Sequence, residues 1–162
     1  MPEFTIVSGG QTGADRAALD FAIAHGIPHG GWCPLGRRAE DGVLDPRYRL
    51  RETESKNYRQ RTRRNVADSD ATLILNLDEL ADGSLATRQF AERANKPVCV
   101  VALDADDLAA EVTRVDEWLA AHPIAVLNVA GPRESKRPGI YRMALAFLQV
   151  VSVLSAKSSQ QQ

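Results

Sequence analysis

The sequence predicts a single-domain α/β protein built on an open, doubly wound Rossmann-like sheet, mostly parallel, with helices on both faces. Three observations carry this. Strand-like and helix-like segments alternate from end to end, the strand segments are apolar throughout, and glycines stand where strands hand over to helices. Strands that are apolar at every position are those buried on both faces, as in a parallel sheet held between two helix layers. A chain of 162 residues suffices for one domain with its own core. The domain is placed at 1–155, with 156–162 as a flexible C-terminal tail.

"FTIVS" (4–8) is a short β-branched run and reads as a buried strand. "DRAALDFAIAHG" (15–26) has apolar residues at helical spacing and ends at Gly26, a natural helix stop. A second short strand is expected near "IPHGGW". Residues 32–55 are rich in Pro, Gly and charge without a sustained period, and a loop of that length in a compact domain tends to be functional or disordered. "NYRQRTRRNVADS" (57–69) reads as a polar helix and "ATLILNL" (71–77) as a buried strand. "SLATRQFAERAN" (84–95) is an amphipathic helix with Ser84 available as its N-cap. "PVCVVAL" (97–103) is a further strand, with Cys99 as plain core. "DDLAAEVTRVDEWLAAH" (106–122) is an amphipathic helix, "IAVLNVAG" (124–131) a strand ending in glycine, and "GIYRMALAFLQVVSVL" (139–154) the last helix. There is no internal repeat and no second domain.

Apolar residues make up 44% of the chain and charged residues 25%, the balance of a globular protein. No stretch approaches the roughly 20 apolar residues that span a bilayer. "MPEFTIVSGG" has neither the basic nor the long apolar segment of a secretory signal, so a cytoplasmic location without membrane contact is expected. A net charge of −1 gives no broad attraction to nucleic acid. Between Arg37 and Arg64, however, ten Lys or Arg stand against five Asp or Glu. That segment is either a solvated face or an electropositive wall around an anionic ligand. Cys33 and Cys99 are expected to stay reduced, and neither they nor His25, His29 and His122 have metal-ligand spacing.

Ligands of such sheets bind outside the carboxyl ends of the strands. Three glycine turns are expected there: Gly9 and Gly10 with Gly13, Gly83 with Ser84, and Gly131. The first precedes a helix whose free N–H groups and dipole would face an anion such as phosphate, with Gln11 and Thr12 as extra donors. Strand–Gly–Gly–helix turns also occur for purely geometric reasons, and Asp15 can serve as a simple cap. In "GGWCPLGRRAEDG" (30–42), Trp32 can stack on a planar ring while Arg37 and Arg38 match phosphate oxygens, or the loop is an ordered surface with internal salt bridges to Glu40 and Asp41. On the helix at 57–69, Tyr58, Arg61, Thr62 and Asn65 share one face, too polar for a core, whereas Arg59, Arg63 and Arg64 read as solvated. Arg133 and Ser135, after the last strand, could reach the same edge.

"SGGQTGADRAALD", "GIPHGGWCPLGRRAEDG", "YRLRETESKNYRQRTRRNVADSDATLIL" and "VLNVAGPRES…PGIY" closely resemble the molybdenum cofactor carrier protein family, in order, from about Ile6 to Leu148. That family is similar to the Rossmann-like nucleotide-ligand binders that include the lonely guy phosphoribohydrolases and the DprA domain. The resemblance implies a non-enzymatic, homo-oligomeric carrier. Its cargo would be molybdenum cofactor, protected and delivered to molybdoenzymes or cofactor-insertion proteins. It also implies ligand contacts at Gly9, Gly10, Gln11, Thr12, Gly13 and Asp15, at Trp32, Arg37, Arg38 and Glu40, at Tyr58, Arg61 and Asn65, and at Ser84 and Thr87. Phosphate would sit at the Gly10 turn, the pterin on Trp32 or Tyr58, and residues 32–55 would form a lid. Members commonly carry Lys where Leu35 stands and two glycines where Asp82 and Gly83 stand. The alternatives are a phosphoribohydrolase using Asp15, Glu40 or Asp41, although the lonely guy "PGGxGTxxE" motif is absent, or a sensor module for a nucleotide-derived ligand.

Overall fold

The computed structural model describes residues 3–160. Five strands form a parallel sheet: β1 (Thr5–Val7), β2 (His29–Gly30), β7 (Ala71–Asn76), β8 (Val98–Ala102) and β9 (Val126–Ala130), in the spatial order β2-β1-β9-β7-β8. Leading out from β1 the chain builds towards one edge, and from β7 towards the other. The last strand, β9, is inserted between them, pairing Ile6 with Leu127 and Leu73 with Val129. The carboxyl ends of β1, β9 and β7 therefore meet at the middle of the sheet, where connections diverge and a crevice opens.

The two faces of the sheet differ. Ile6, Leu73, Leu75, Leu127, Val129, Cys99 and Val101 point to one side and form the main core with α1 (Ala14–Ala24), α4 (Leu108–Ala121), α5 (Ile140–Val150) and α6 (Ser152–Gln160). Along α1 the buried stripe is mostly alanine, which lets that helix lie close against its neighbours. The alternate side chains, Thr72, Ile74 and Asn76 on β7 and Asn128 on β9, are buried but largely polar, and Asn128 donates to Thr72 Oγ1 at 3.3 Å. This second face lies under α2 (Tyr58–Ala67) and α3 (Asp82–Arg93), which pack on each other. A polar sheet floor is a poor core and a good ligand bed.

Local chemistry explains most boundaries. Asn57 caps α2 by accepting from Arg59 N at 2.9 Å, and Lys96 Nζ closes its other end on the carbonyls of Val66, Ala67 and Ser69. Asp107 caps α4 through Ala110 N at 3.0 Å. The expected single helix at 139–154 is two: the chain breaks at Val151 with a bend of 76°. Asp116 on α4 stabilises the break by accepting from Ser152 N and Val153 N. Helix α6 takes in residues 156–160 of the expected tail; residues 161 and 162 lie outside the described residues. No single helix among the described residues is long and apolar enough to cross a membrane.

The 32–55 segment is more ordered than its composition implies. It forms two small two-stranded sheets, β3 (Trp32–Cys33) with β6 (Arg51–Glu52) and β4 (Arg38–Ala39) with β5 (Gly42–Val43). Cys33, Ala39, Leu44, Tyr48 and Leu50 bury together against Leu19 of α1, a satellite core that holds the expected lid down on the domain. Both cysteines are free and buried.

Gly13 is the N-cap of α1 at φ 80°, and a β-carbon there would lie 2.8 Å from Glu134 N and 2.9 Å from the Arg133 carbonyl carbon. Gly13→Ala is expected to cost at least about 1–3 kcal/mol, read from urea unfolding. An unchanged midpoint would show that the 131–135 segment can yield.

Candidate functional site

The central crevice is a cleft of about 280 Å³. One wall is α2, with Tyr58, Arg59, Arg61 and Thr62; the other is the segment after β9, with Gly131, Arg133, Lys136 and Arg137. Five cations, Arg59, Arg61, Arg133, Lys136 and Arg137, line it against two carboxylates, Glu79 and Asp82. The cleft is electropositive in a protein whose net charge is close to zero, so it favours an anionic ligand.

The first turn of α3 opens into the same space. Its N-cap is Ala81, not the expected Ser84, and alanine has no side-chain acceptor to offer. Among the described residues nothing accepts from the N–H groups of Asp82, Gly83 or Ser84. Ser84 is only 5% exposed, lines the cleft, and its hydroxyl has no partner among the described residues. Unsatisfied N–H groups and the positive end of the helix dipole thus converge where the cations stand. Asp82 sits at φ 50°, a conformation that glycine adopts freely.

Arg61 reaches deepest. Its Nη1 donates to Asp15 Oδ2 at 2.8 Å and its Nε to the Tyr58 carbonyl at 3.2 Å. A β-carbon on Gly9 would overlap that guanidinium, so glycine at position 9 makes room for Arg61. Burial pushes the Asp15 carboxyl up, and the Arg61 charge and hydrogen bond oppose that rise. Beneath the pair is a recess of about 50 Å³ lined by Asn65, Thr87 and Asn128.

Three amides at the 9–14 turn are spent on the fold. Gln11 N donates to Asp15, Thr12 N to Gln11 Oε1 at 3.0 Å, and Ala14 N to the Pro132 carbonyl at 3.2 Å. Gly10, at φ 80°, approaches Leu44 and Leu50 and gives its carbonyl to Arg16. These three amides are committed to protein acceptors. The N–H groups of Asp82, Gly83 and Ser84 in the first turn of α3, and those of Gly9, Gly10 and Gly13, have no acceptor among the described residues.

Glu40 latches the loop to the rim. It accepts from the hydroxyls of Thr12 and Ser135 and from Ser135 N at 3.1 Å, with Arg133 Nε at 3.8 Å. Desolvation raises its pKa, but the bonds from Ser135 and Thr12 and the Arg133 charge outweigh it and hold the carboxyl below its usual range. Its contribution is present above the unfolded value of 4.5 and is lost as pH falls through the lower folded value. A lower protection factor at the Ser135 amide, relative to the intrinsic exchange rate at the same pH, is expected in acid once Glu40 protonates; an unchanged protection factor would show that the latch does not hold the rim.

Of the residues the resemblance implied, Gln11, Tyr58, Arg61 and Ser84 meet in the cleft, and Gly9, Asp15, Asn65 and Thr87 join Arg61 in the recess. Trp32, Arg37 and Arg38 stand outside both. The Trp32 ring lies between Arg64 at 4.7 Å and Arg51 at 5.2 Å, its Nε1 donates to Asp68, and Asn65 holds its backbone N–H and carbonyl. Arg37 clamps the carbonyls of Asp45, Tyr48 and Leu50, a structural role. Arg38 is exposed and has no partner among the described residues. Arg59, read as solvated, lines the cleft and lies 4.8 Å above the Phe90 ring of α3. Lys136 and Arg137 escaped the sequence reading, although "GPRESKR" after a strand end was a visible cue. Arg137 donates to the Leu77 and Glu79 carbonyls.

The model of the circularly permutated YpsA SLOG family matches residues 6–152. A crystal structure of a protein from Syntrophus aciditrophicus SB, named "Putative molybdenum carrier protein", superposes with a TM-score of 0.89 at 48% identity, covering 93% of this chain and 96% of that one. No curated protein matches this chain.

Proposed function

The chain belongs to the circularly permutated YpsA SLOG family, and on that premise we propose that its cleft binds molybdenum cofactor as cargo, for protection and delivery. The observation that carries this is the meeting of five cations with the unpartnered first turn of α3. A phosphate-bearing pterin needs both an anion seat and a face for its ring. The seat is Ser84 with the N–H groups of Gly83 and Ser84, supported by Arg133 and Lys136. The face is Tyr58, whose ring lies 5.4 Å from Arg61 Cζ. Gln11 closes one side, and Asp15 holds Arg61 above the recess lined by Asn65 and Thr87. At about 280 Å³ the cleft is near the small end of the roughly 300–1,000 Å³ usual for ligand sites, so it covers part of the cargo and leaves the rest accessible to a recipient.

A binding role also suits the carboxylates. Asp15 is paired with Arg61, Asp41 with Arg16 through two 3.0 Å bonds, and Glu40 is held by Thr12, Ser135 and Arg133. None of these three stands free as a general base, so a phosphoribohydrolase would have to use Glu79 or Asp82 of the cleft lining, whose carboxylates have no partner among the described residues.

The test is anaerobic titration with molybdenum cofactor, ultrafiltration and pterin fluorescence, with AMP, ADP-ribose and molybdate as competitors. Saturable retention that AMP does not displace is expected. Absence of retention, with AMP or ADP-ribose bound instead, would overturn the carrier reading in favour of a nucleotide sensor. Release of free base from AMP would make the protein a hydrolase.

A further inference from the structure

We propose that a second concavity, sharing no lining residue with the cleft, docks an acidic segment of a partner protein. It is open, with a volume of about 690 Å³, and lies between the first half of α1, residues 47–48 and the start of α5. This inference is independent of what the cleft carries.

Its carboxylates are already saturated. Asp20 accepts from the hydroxyls of Tyr48 at 2.6 Å and Tyr141 at 2.5 Å and from Arg47 Nη2 at 3.2 Å. Glu134 accepts from Gly139 N and from Tyr141 N, so it serves as the anion at the start of α5. Arg16 is likewise committed, to Asp41 and the Gly10 carbonyl. What remains for a ligand is cationic. The Arg47 side chain is 58% exposed and uses only Nη2 in the bonds described, while Arg142 is exposed and has no partner among the described residues. Burial and the Asp20 carboxylate raise the Tyr141 hydroxyl to about 12, so it stays protonated and keeps its bond to Asp20.

A surface with spent acceptors and free guanidinium donors selects carboxylate-rich partners. Its openness is unsuited to enclosing a small molecule, which ordinarily loses most of its surface in a site. Arg is enriched among protein-interface anchors, and the buried Tyr48 gives the exposed Arg47 a rigid floor, its ring 4.7 Å from Arg47 and 5.3 Å from Arg16.

The test is fluorescence anisotropy of the full chain with a fluorescein-labelled Asp- and Glu-rich peptide, against a Gln- and Asn-rich peptide of equal length. Binding of the acidic peptide alone, weakening with salt, is expected. Arg142→Glu breaks no described contact and should lower affinity by about tenfold, and Arg47→Glu with Arg142→Glu by more. Ser84→Asp, in the cleft, should leave peptide binding unchanged. Equal binding of the neutral peptide, no binding by the wild type, or wild-type affinity in Arg142→Glu would overturn the proposal. Displacement by inorganic phosphate at concentrations where chloride has no effect would also overturn it, by making this a small-anion site.

Discussion

Arg61→Met is expected to lower folding stability by roughly 3–5 kcal/mol and to abolish cargo retention, a larger loss than any other single change in the cleft. Arg61 and Asp15 are 12% and 5% exposed, and among the described residues Arg61 is the only cation bonded to the Asp15 side chain. Removing it leaves a buried carboxylate whose remaining polar contact is Gln11 N at 3.3 Å. The deficit should depend on pH with a defined sign. Asp15 is raised in the folded state, so its contribution is fully present below the unfolded value of 3.8 and is lost as pH rises through the folded value. Loss of the opposing Arg61 charge moves the folded value further up, so the deficit of the variant grows from acid towards neutral pH. Urea titrations across that range check this. Asp15→Asn combined with Arg61→Met should recover much of the stability, because neutral partners leave no charge stranded, while retention stays lost. A loss below about 1 kcal/mol in the single variant would mean that water reaches Asp15 freely.

The fold was largely legible because its strands are short, apolar and bounded by glycine or polar turns; β7, buried at all six positions, is the plainest case. What escaped the sequence depends on contacts distant along the chain. The four strands within 32–55 have two residues each, too few for any period, and what orders them is the burial of Leu44, Tyr48 and Leu50 against Leu19 and Cys33. Trp32 looked available for stacking because nothing local shows that Arg51 of β6 and Arg64 of α2 will pack on its ring. In the cleft, helical spacing grouped Tyr58, Arg61, Thr62 and Asn65 on one face as found. It left out Arg59, which only the Phe90 ring on α3 brings to the same wall. The glycine turn drew the anion to α1 on sequence grounds, yet the Asp15 and Gln11 side chains and the Pro132 carbonyl occupy three of its amides, those of Gln11, Thr12 and Ala14. Ser84 read as the cap of α3, but the helix begins two residues earlier, after Ala81, and the lack of a side-chain cap there is what leaves its first N–H groups without an acceptor among the described residues.

If α3 seats the anionic end of the cargo, Ser84→Asp should separate binding from stability in opposite directions. Ser84 is the third residue of the helix, where a carboxylate interacts favourably with the dipole, so stability should rise by about 0.3–1 kcal/mol. The same carboxylate would stand in the seat, and the like-charge penalty should reduce cargo affinity by roughly a hundredfold, about 2.7 kcal/mol. Unfolding cannot produce that pair of results, which makes the variant a cleaner probe than alanine. Asp82→Asn supplies the converse. Asparagine tolerates the φ of 50° that Asp82 adopts, while the substitution removes one of the two carboxylates lining the cleft. Affinity should then rise several-fold, most at low salt, with little change in stability. Retention of cargo at wild-type affinity by Ser84→Asp would place the anionic end elsewhere, and Lys136 and Arg133 on the opposite wall would become the seat to test.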